Sequence, residues 1–424
     1  MNAPSPETLR RGWCPSTLKP METGDGWLVR LHPPGARLTP AELRRIAALA
    51  RQYGNGLIEI SARGNMQLRG VTAESHPRLV ATLLAERLVD EHDGAGPQRL
   101  TLTSPLAGAG IALAAEIEAR ARDITGLPAK LSVVVDDGGA QSLDAFAGDL
   151  RVVGIAPGIA AIGLADRVWL GPVDEGQAGE AVATMLARFA ALRAQAPDAI
   201  RRLRDLPPGA LPTLSDLPAA PAPPERPAPR RAGLFPLGSD GFAALVGLPF
   251  GRADAATLDR LATAAEAQGC SKIRLSPWRG IAFRGLAEAD AEALLGFAAC
   301  ELGLIVRDDD PRLSVQACAG APACLRAETA AMADAARLAQ EIAPLLAAGL
   351  TLHVSGCVKS CAQPGAADLT LVGRAGRYGV VIAGTARDHA LAELDLSAIL
   401  ARLQPGQEIH ARLPMAGRLA GRRA

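Results

Sequence analysis

The sequence predicts an α+β protein with mixed sheets, built by internal duplication. Three observations carry this: a Pro/Ala-rich stretch near the midpoint, the same order of residues on either side of it, and apolar periods that alternate between 2 and 3.6. With 424 residues, 49% of them hydrophobic and 21% charged, the chain has ample material for buried cores. The stretch, residues 205–233, reads DLPPGALPTLSDLPAAPAPPERPAPRRAG and predicts a linker of partly polyproline character. At one constant spacing across it, Pro34 matches Pro249, Arg37 matches Arg252, Leu43 matches Leu258 and Gly54 matches Gly269. The register then holds through Ile58 and Ile273, Ser61 and Ser276, Arg69 and Arg284, and Gly70 and Gly285. Farther on the spacing drifts. Arg99-Leu-Thr-Leu still resembles Arg312-Leu-Ser-Val, and Asp149-Leu-Arg-Val-Val-Gly resembles Asp368-Leu-Thr-Leu-Val-Gly.

Each copy opens strand, helix, then paired strands. Trp27 to Leu31 predicts a strand, and Thr39-Pro40-Ala41-Glu42 predicts a capping box with proline at the first helical position. Leu43, Ile46, Ala47 and Ala50 share one face of that helix, and Gly54 is placed to stop it. Leu57-Ile-Glu-Ile-Ser and Asn65-Met-Gln-Leu-Arg alternate as short strands joined through Ala62-Arg63-Gly64. The second copy repeats this with Asp254 as cap, a helix to Gly269, then Lys272-Ile-Arg-Leu-Ser and Ile281-Ala-Phe-Arg. Long Ala/Leu helices are expected from Ile111 to Arg122, Glu180 to Arg193 and Glu328 to Ala348, between Val/Ile-rich strands.

Charge and composition exclude several function classes. Lys+Arg 45 against Asp+Glu 44 leaves a formal charge of +1, so no basic field draws in nucleic acid, and 3% aromatics do not build base-stacking platforms. No uninterrupted apolar run reaches the roughly 18 residues of a membrane span. The start MNAPSPETLRRGW has no apolar leader core and the cysteine count is odd, so a reducing cytoplasm is expected.

Cys318 and Cys324 form C-x5-C, and Cys357 and Cys361 form C-x3-C, among small neighbours (ACAGAPAC and SGCVKSC). Small residues let backbone N–H groups approach inorganic sulfide, so the set reads as iron-sulfur ligands, with structural zinc and inert core thiols as competing readings. Cys14, Cys270 and Cys300 are isolated and read as packing residues or chance free thiols. Arginines recur on the strand-turn segments as Arg63, Arg69, Arg274, Arg279 and Arg284, with Arg99 and Lys130 farther along. Alternation keeps Arg63, Gln67 and Arg69 from all facing a core. They are solvated charges or the rim of a polar cavity, and the glycine beside several of them permits close backbone approach to a ligand. Guanidinium forks suit a polycarboxylate. Gly108-Ala-Gly110 lacks the third glycine and the later acid of a dinucleotide fingerprint.

The tetracysteine spacing resembles the sulfite and nitrite reductase superfamily. Ser61-Ala-Arg63-Gly-Asn-Met-Gln67-Leu-Arg69-Gly is similar to that superfamily's first porphyrinoid-binding segment, Arg99 with Ser104-Pro-Leu-Ala-Gly108 to its second, and Leu127-Pro-Ala-Lys130 to its third. The resemblance implies two ferredoxin-like halves, over residues 20–75 and 234–290, and two larger mixed α/β domains, over 76–204 and 291–424. It implies a [4Fe-4S] cluster on Cys318, Cys324, Cys357 and Cys361, and a tetrapyrrole held by Arg63, Gln67, Arg69, Arg99, Lys130, Arg279 and Arg284. Two departures matter. Lys130 is followed by Ser132 where the reductases carry a second lysine, and Trp278 stands opposite Arg63 in the repeat, which predicts one active face and a decayed second site.

Within the superfamily, Arg11-Gly-Trp-Cys-Pro15 with Pro20-Met-Glu-Thr-Gly-Asp-Gly-Trp-Leu-Val-Arg30 is most similar to the O2-dependent branch of aerobic cobalamin biosynthesis. That branch implies a monooxygenase hydroxylating a precorrin at C20 with lactone formation. It also implies a second iron, mononuclear or sirohaem-like, for which His353 is a candidate ligand, and NADH as an indirect electron source through a separate reductase. The alternative is a sirohaem-dependent sulfite or nitrite reductase.

Overall fold

The computed structural model describes residues 13–91 and 96–403, so Arg11 and Gly12 of the N-terminal motif lie outside the described residues. The described residues form four five-stranded sheets. Strands Met21–Thr23, Gly26–Leu31, Met66–Val71 and Leu57–Ile60 make the first sheet, and its fifth strand, Arg252–Asp254, comes from the second copy. The second copy's sheet orders Gly233–Pro236, Phe242–Gly247, Gly280–Leu286 and Lys272–Ser276, and borrows Arg37–Leu38 from the first. Each half thus lends the other an edge strand. Helices Pro40–Tyr53 and Ala255–Ala267 pack on each other between the two sheets, so Leu43, Ile46, Leu258, Leu261 and Phe283 share one core.

The local signals act as expected. Thr39 Oγ1 accepts from the Glu42 amide and the Glu42 carboxylate accepts from the Thr39 amide, the reciprocal pair that satisfies two orphan donors. Asp254 caps the second helix through the Thr257 amide.

The two larger domains repeat one topology. Thr101–Thr103, Val133–Asp136 and Leu150–Ala156 run parallel, and Ile159–Leu164 and Val168–Asp174 continue antiparallel. Val315–Ala317, Leu352–Ser355 and Ala367–Arg374 run parallel, and Arg377–Gly384 and Ala392–Leu394 continue antiparallel. Even a side-chain tie is duplicated: Asp149 accepts from the Ser132 amide at 2.9 Å and Asp368 from the Thr351 amide at 2.8 Å. Each tie fixes the start of a middle parallel strand.

Two expectations need correcting. The helix expected from Glu328 to Ala348 is two helices, Ala331–Glu341 and Ala343–Ala347, because Pro344 has no N–H to donate and its ring clashes with the preceding turn. The first part of the Pro/Ala-rich segment is not a free spacer. Leu206, Leu211 and Leu214 are buried with helices Ala109–Ala121 and Glu175–Gln195 in the first large domain's core, and Ala219 bridges to Leu170. A leucine every few residues lets short 3-10 turns serve as a core layer.

Candidate functional site

The outer face of the first sheet carries a polar ladder. Arg30 donates through Nε and a terminal nitrogen to Gln67 Oε1 at 3.2 and 2.8 Å, and Gln67 Nε2 donates to Glu59 Oε2 at 3.2 Å. Glu59 also takes Arg252, from the exchanged strand, and Arg69, while Arg69 pairs bidentately with Asp25. Parity explains the set: Met66 and Leu68 point into the core, so Gln67 and Arg69 point out.

Arg69 and Arg284, expected to clamp a ligand, instead clamp the protein. Arg69 is 3% exposed and its third contact is the Ala323 carbonyl, next to Cys324, at 2.6 Å. Arg284 is 5% exposed and donates to the Pro105 and Ala107 carbonyls, both at 2.9 Å. These are repeat-equivalent residues, and each holds the loop that follows the first strand of the opposite copy's large domain. Arg279 has a related duty, with Nε on Gln316 Oε1 and a terminal nitrogen on the Ala362 carbonyl, both at 2.9 Å. Its φ of 61° is a left-handed conformation costly for a side chain this large, and these bonds hold it there.

The cysteine loops follow the C-terminal ends of two adjacent parallel strands, where α/β sheets open their crevices. Cys318 and Cys324 follow Val315–Ala317, and Cys357 and Cys361 follow Leu352–Ser355. The first loop docks on the turn at Gly24, where a Cβ would stand 2.1 Å from the Pro322 carbonyl, so no other residue fits. The Gly356 N–H donates to Cys318 Sγ at 3.1 Å, the backbone contact that stabilises a thiolate. Burial and the nearby Cys324 and Cys318 push the Cys357 thiol up, and burial with the same neighbours pushes Cys361 up to about 11. Among the described residues no three His, Cys, Asp or Glu side chains are gathered tightly enough for a single metal ion. Four thiols among small residues, one of them already taking a backbone N–H, are donors that a polynuclear iron-sulfur cluster would use.

Three further cations, Arg63, Arg99 and Lys130, lie off the ladder. Arg63, in the hairpin, donates to the Ala147 carbonyl at 3.0 Å, and burial together with the Arg202 guanidinium lowers its pKa. Arg99 reaches the Gly64 carbonyl at 3.2 Å and burial lowers its pKa, with Glu118 opposing. Lys130 is exposed in the turn before Val133–Asp136. Trp278, opposite Arg63 in the repeat, meets Phe146 edge to face at 5.1 Å in a small apolar cluster, so that end of the second copy is filled.

Sequence reading missed two residues here. Cys14, assigned to packing, lies against the Arg30 guanidinium. His32, 6% exposed, places Nδ1 2.7 Å from Glu91 Oε1, which also accepts from Thr17 Oγ1 at 2.8 Å. Burial, with Arg30 and Arg99 adding to it against Glu91, holds His32 below its ordinary value of 6.5. The only available signal was the residue type, because Glu91 is distant in the chain. His353, the candidate iron ligand, is fully buried with neither ring nitrogen bonded, and burial beside Arg279 lowers its pKa to about 4.

Paired half-domains exchanging edge strands, with four cysteines at the mouth of one large domain and arginines across from them, define a sulfite/nitrite reductase-like protein. The nitrite/sulfite reductase ferredoxin-like half domain matches twice, at residues 19–86 and 236–296. The structure resembles Mycobacterium tuberculosis NirA, with a TM-score of 0.67 and 19% identity over 90% of this chain and 82% of that one, which speaks to the fold. The chain belongs to the precorrin-3B synthase family: it is 35% identical to the precorrin-3B synthase of Sinorhizobium sp over 93% of its own length and 88% of that protein's. The chloroplastic ferredoxin–nitrite reductase of Betula pendula is 29% identical, but over 33% of this chain and 25% of that one. No helix among the described residues is long and apolar enough to cross a membrane.

Proposed function

We propose that the chain converts precorrin-3A to precorrin-3B, hydroxylating C20 with one atom of O2 while a ring A acetate closes a lactone. The other oxygen atom leaves as water, so each turnover takes up two electrons and two protons. The observation that carries this reading is the partition of charge around the first sheet: Asp25, Glu59, Arg69 and Arg252 neutralise one another beside the cysteine loops, while Arg63 and Arg99 bond backbone carbonyls and, among the described residues, no carboxylate. A macrocycle with acetate and propionate arms would bind its carboxylates to Arg63, Arg99 and Lys130.

Cys318, Cys324, Cys357 and Cys361 would hold a [4Fe-4S] cluster, which supplies electrons one at a time when bound. Arg69 and Arg279 set the two cysteine loops against that face by holding the Ala323 and Ala362 carbonyls. His353, whose ring nitrogens have no hydrogen-bond partner among the described residues, would be the candidate ligand for a second iron, mononuclear or sirohaem-like. His32 is the group suited to move protons. A carboxylate only accepts, so Nδ1 carries the proton toward Glu91 and the neutral ring leaves Nε2 as the basic atom. The helix start at Gly108 and Gly110 offers no open phosphate cradle, since the Asp137 carboxylate takes both amides at 2.7 and 3.2 Å. NADH then serves indirectly, through a separate electron-donating reductase, and the purified chain with NADH alone should not turn over.

The deciding experiment is anaerobic purification followed by incubation with precorrin-3A and reductant under O2. A hydroxylated, lactonised product is expected. Turnover of sulfite or nitrite without O2, with sirohaem released by acid, would overturn the reading. His32→Gln is expected to lower kcat about 100-fold and remove an acid limb lying below the ordinary histidine value. A variant with an unchanged pH profile would make His32 a structural residue.

A further inference from the structure

The duplication allows the two sheet faces to be compared position by position. On the first, Glu59 sits between Arg69 and Arg252, and Asp25 takes Arg69 as well, so the group is neutral. On the second, the repeat puts Arg274 where Glu59 stands, Arg284 where Arg69 stands, Arg37 where Arg252 stands and Asp240 where Asp25 stands. The acid at the centre has become a cation. Register confirms that the side chains share a face: Arg274 lies directly opposite Arg37 on one neighbour strand, and Lys272 directly opposite Arg284 on the other.

Like charges placed opposite each other across a sheet destabilise it. Four cations, Arg37, Lys272, Arg274 and Arg284, meet one carboxylate on that face, Asp240, which stands 3.7 Å from Arg284. Asp137 also acts on Arg284, and Arg99 adds a fifth cation to those acting on Arg274. Burial and the guanidiniums of Arg284, Arg99 and Arg37 lower the Arg274 pKa to about 10. Among the described residues no carboxylate bonds Arg274 or Arg37; Arg274 donates to the Gly35 carbonyl, at 3.3 Å. A cavity of about 400 Å³ opens at the Lys272–Arg284 end of the group, lined by Ser239, Asp240, Ser271, Lys272 and Arg284, while Arg37 and Arg274 flank it on the same sheet face. Leu106 packs with Leu245 and Ala282 over the apolar part of the face.

We propose that this second face is a binding site for a small polyvalent oxyanion, a carboxylate or a phosphate, held by Arg37 and Arg274 with Lys272 beside them. The proposal rests on the charge order of this face and does not depend on the tetrapyrrole reading. Guanidinium forks match either oxyanion bidentately, which is the shared chemistry.

Isothermal titration of the full chain with citrate and with inorganic phosphate, at matched ionic strength in chloride, tests this. Saturable binding of at least one is expected, and the tighter of the two identifies the carboxylate or the phosphate source. Arg274→Glu, which restores the charge order of the first face, should abolish that binding and raise the melting temperature of the ligand-free chain. Arg37→Gln, at an exposed position, should weaken binding about tenfold or more without loss of fold. No saturable heat from either anion, or binding of wild-type strength in both variants, would overturn the proposal.

Discussion

Arg69→Met is expected to be among the most damaging single changes in the molecule, costing on the order of 3–5 kcal/mol, because it leaves two partly buried carboxylates without their shared cation. Asp25 and Glu59 are each 15% exposed and Arg69 is 3% exposed, so water replaces the lost pairing only in part. Denaturant titration should show the loss as a lower midpoint at unchanged slope. A pH dependence accompanies it. Burial raises the Asp25 pKa, but the hydrogen bonds and charge of Arg69 outweigh it, and the group ends below its ordinary 3.8. Its contribution is therefore complete above the ordinary carboxylate value and disappears as pH falls through the depressed folded value. In Arg69→Met the wild-type and variant stabilities should converge in strong acid. A gap that persists there would assign the loss to packing of the arginine stem instead.

Cys357→Ser is the second large effect. A serine oxygen does not replace a thiolate as a cluster ligand, so the visible absorbance of the purified protein and its turnover should both vanish. Cys270→Ser is the control, since Cys270 is buried against the Lys272 and Arg284 carbonyls and lies outside the cysteine loops. Retained turnover in Cys357→Ser would take the cluster off the electron path.

Much of this was legible in the sequence wherever the signal is local. Thr39, Gly54 and Asp254 mark helix ends by chemistry contained within a few residues, and C-x5-C with C-x3-C marks the loops by spacing. The duplication was also visible, since Asp149 and Asp368 stand in matching strings. What the string does not carry is which side chain meets which across the fold. Arg69 and Arg284 look like exposed clamps beside glycines, yet their partners, Ala323 and Pro105, belong to the opposite copy's large domain. His32 and Glu91 lie 59 residues apart and only tertiary structure joins them. Proline and alanine content marked residues 205–233 as unstructured, while the leucines between them were packing a core.

The exchanged edge strands set an order of events during synthesis. The first sheet takes its last strand from Arg252–Asp254, which leaves the ribosome only after the whole first large domain and the Pro/Ala-rich segment have been made. Until then Leu57–Ile60 presents an unpaired backbone edge, the kind of surface that recruits another nascent chain. A gene truncated after the midpoint would therefore yield an adhesive half-protein, and a split gene would express well only when both halves are translated together.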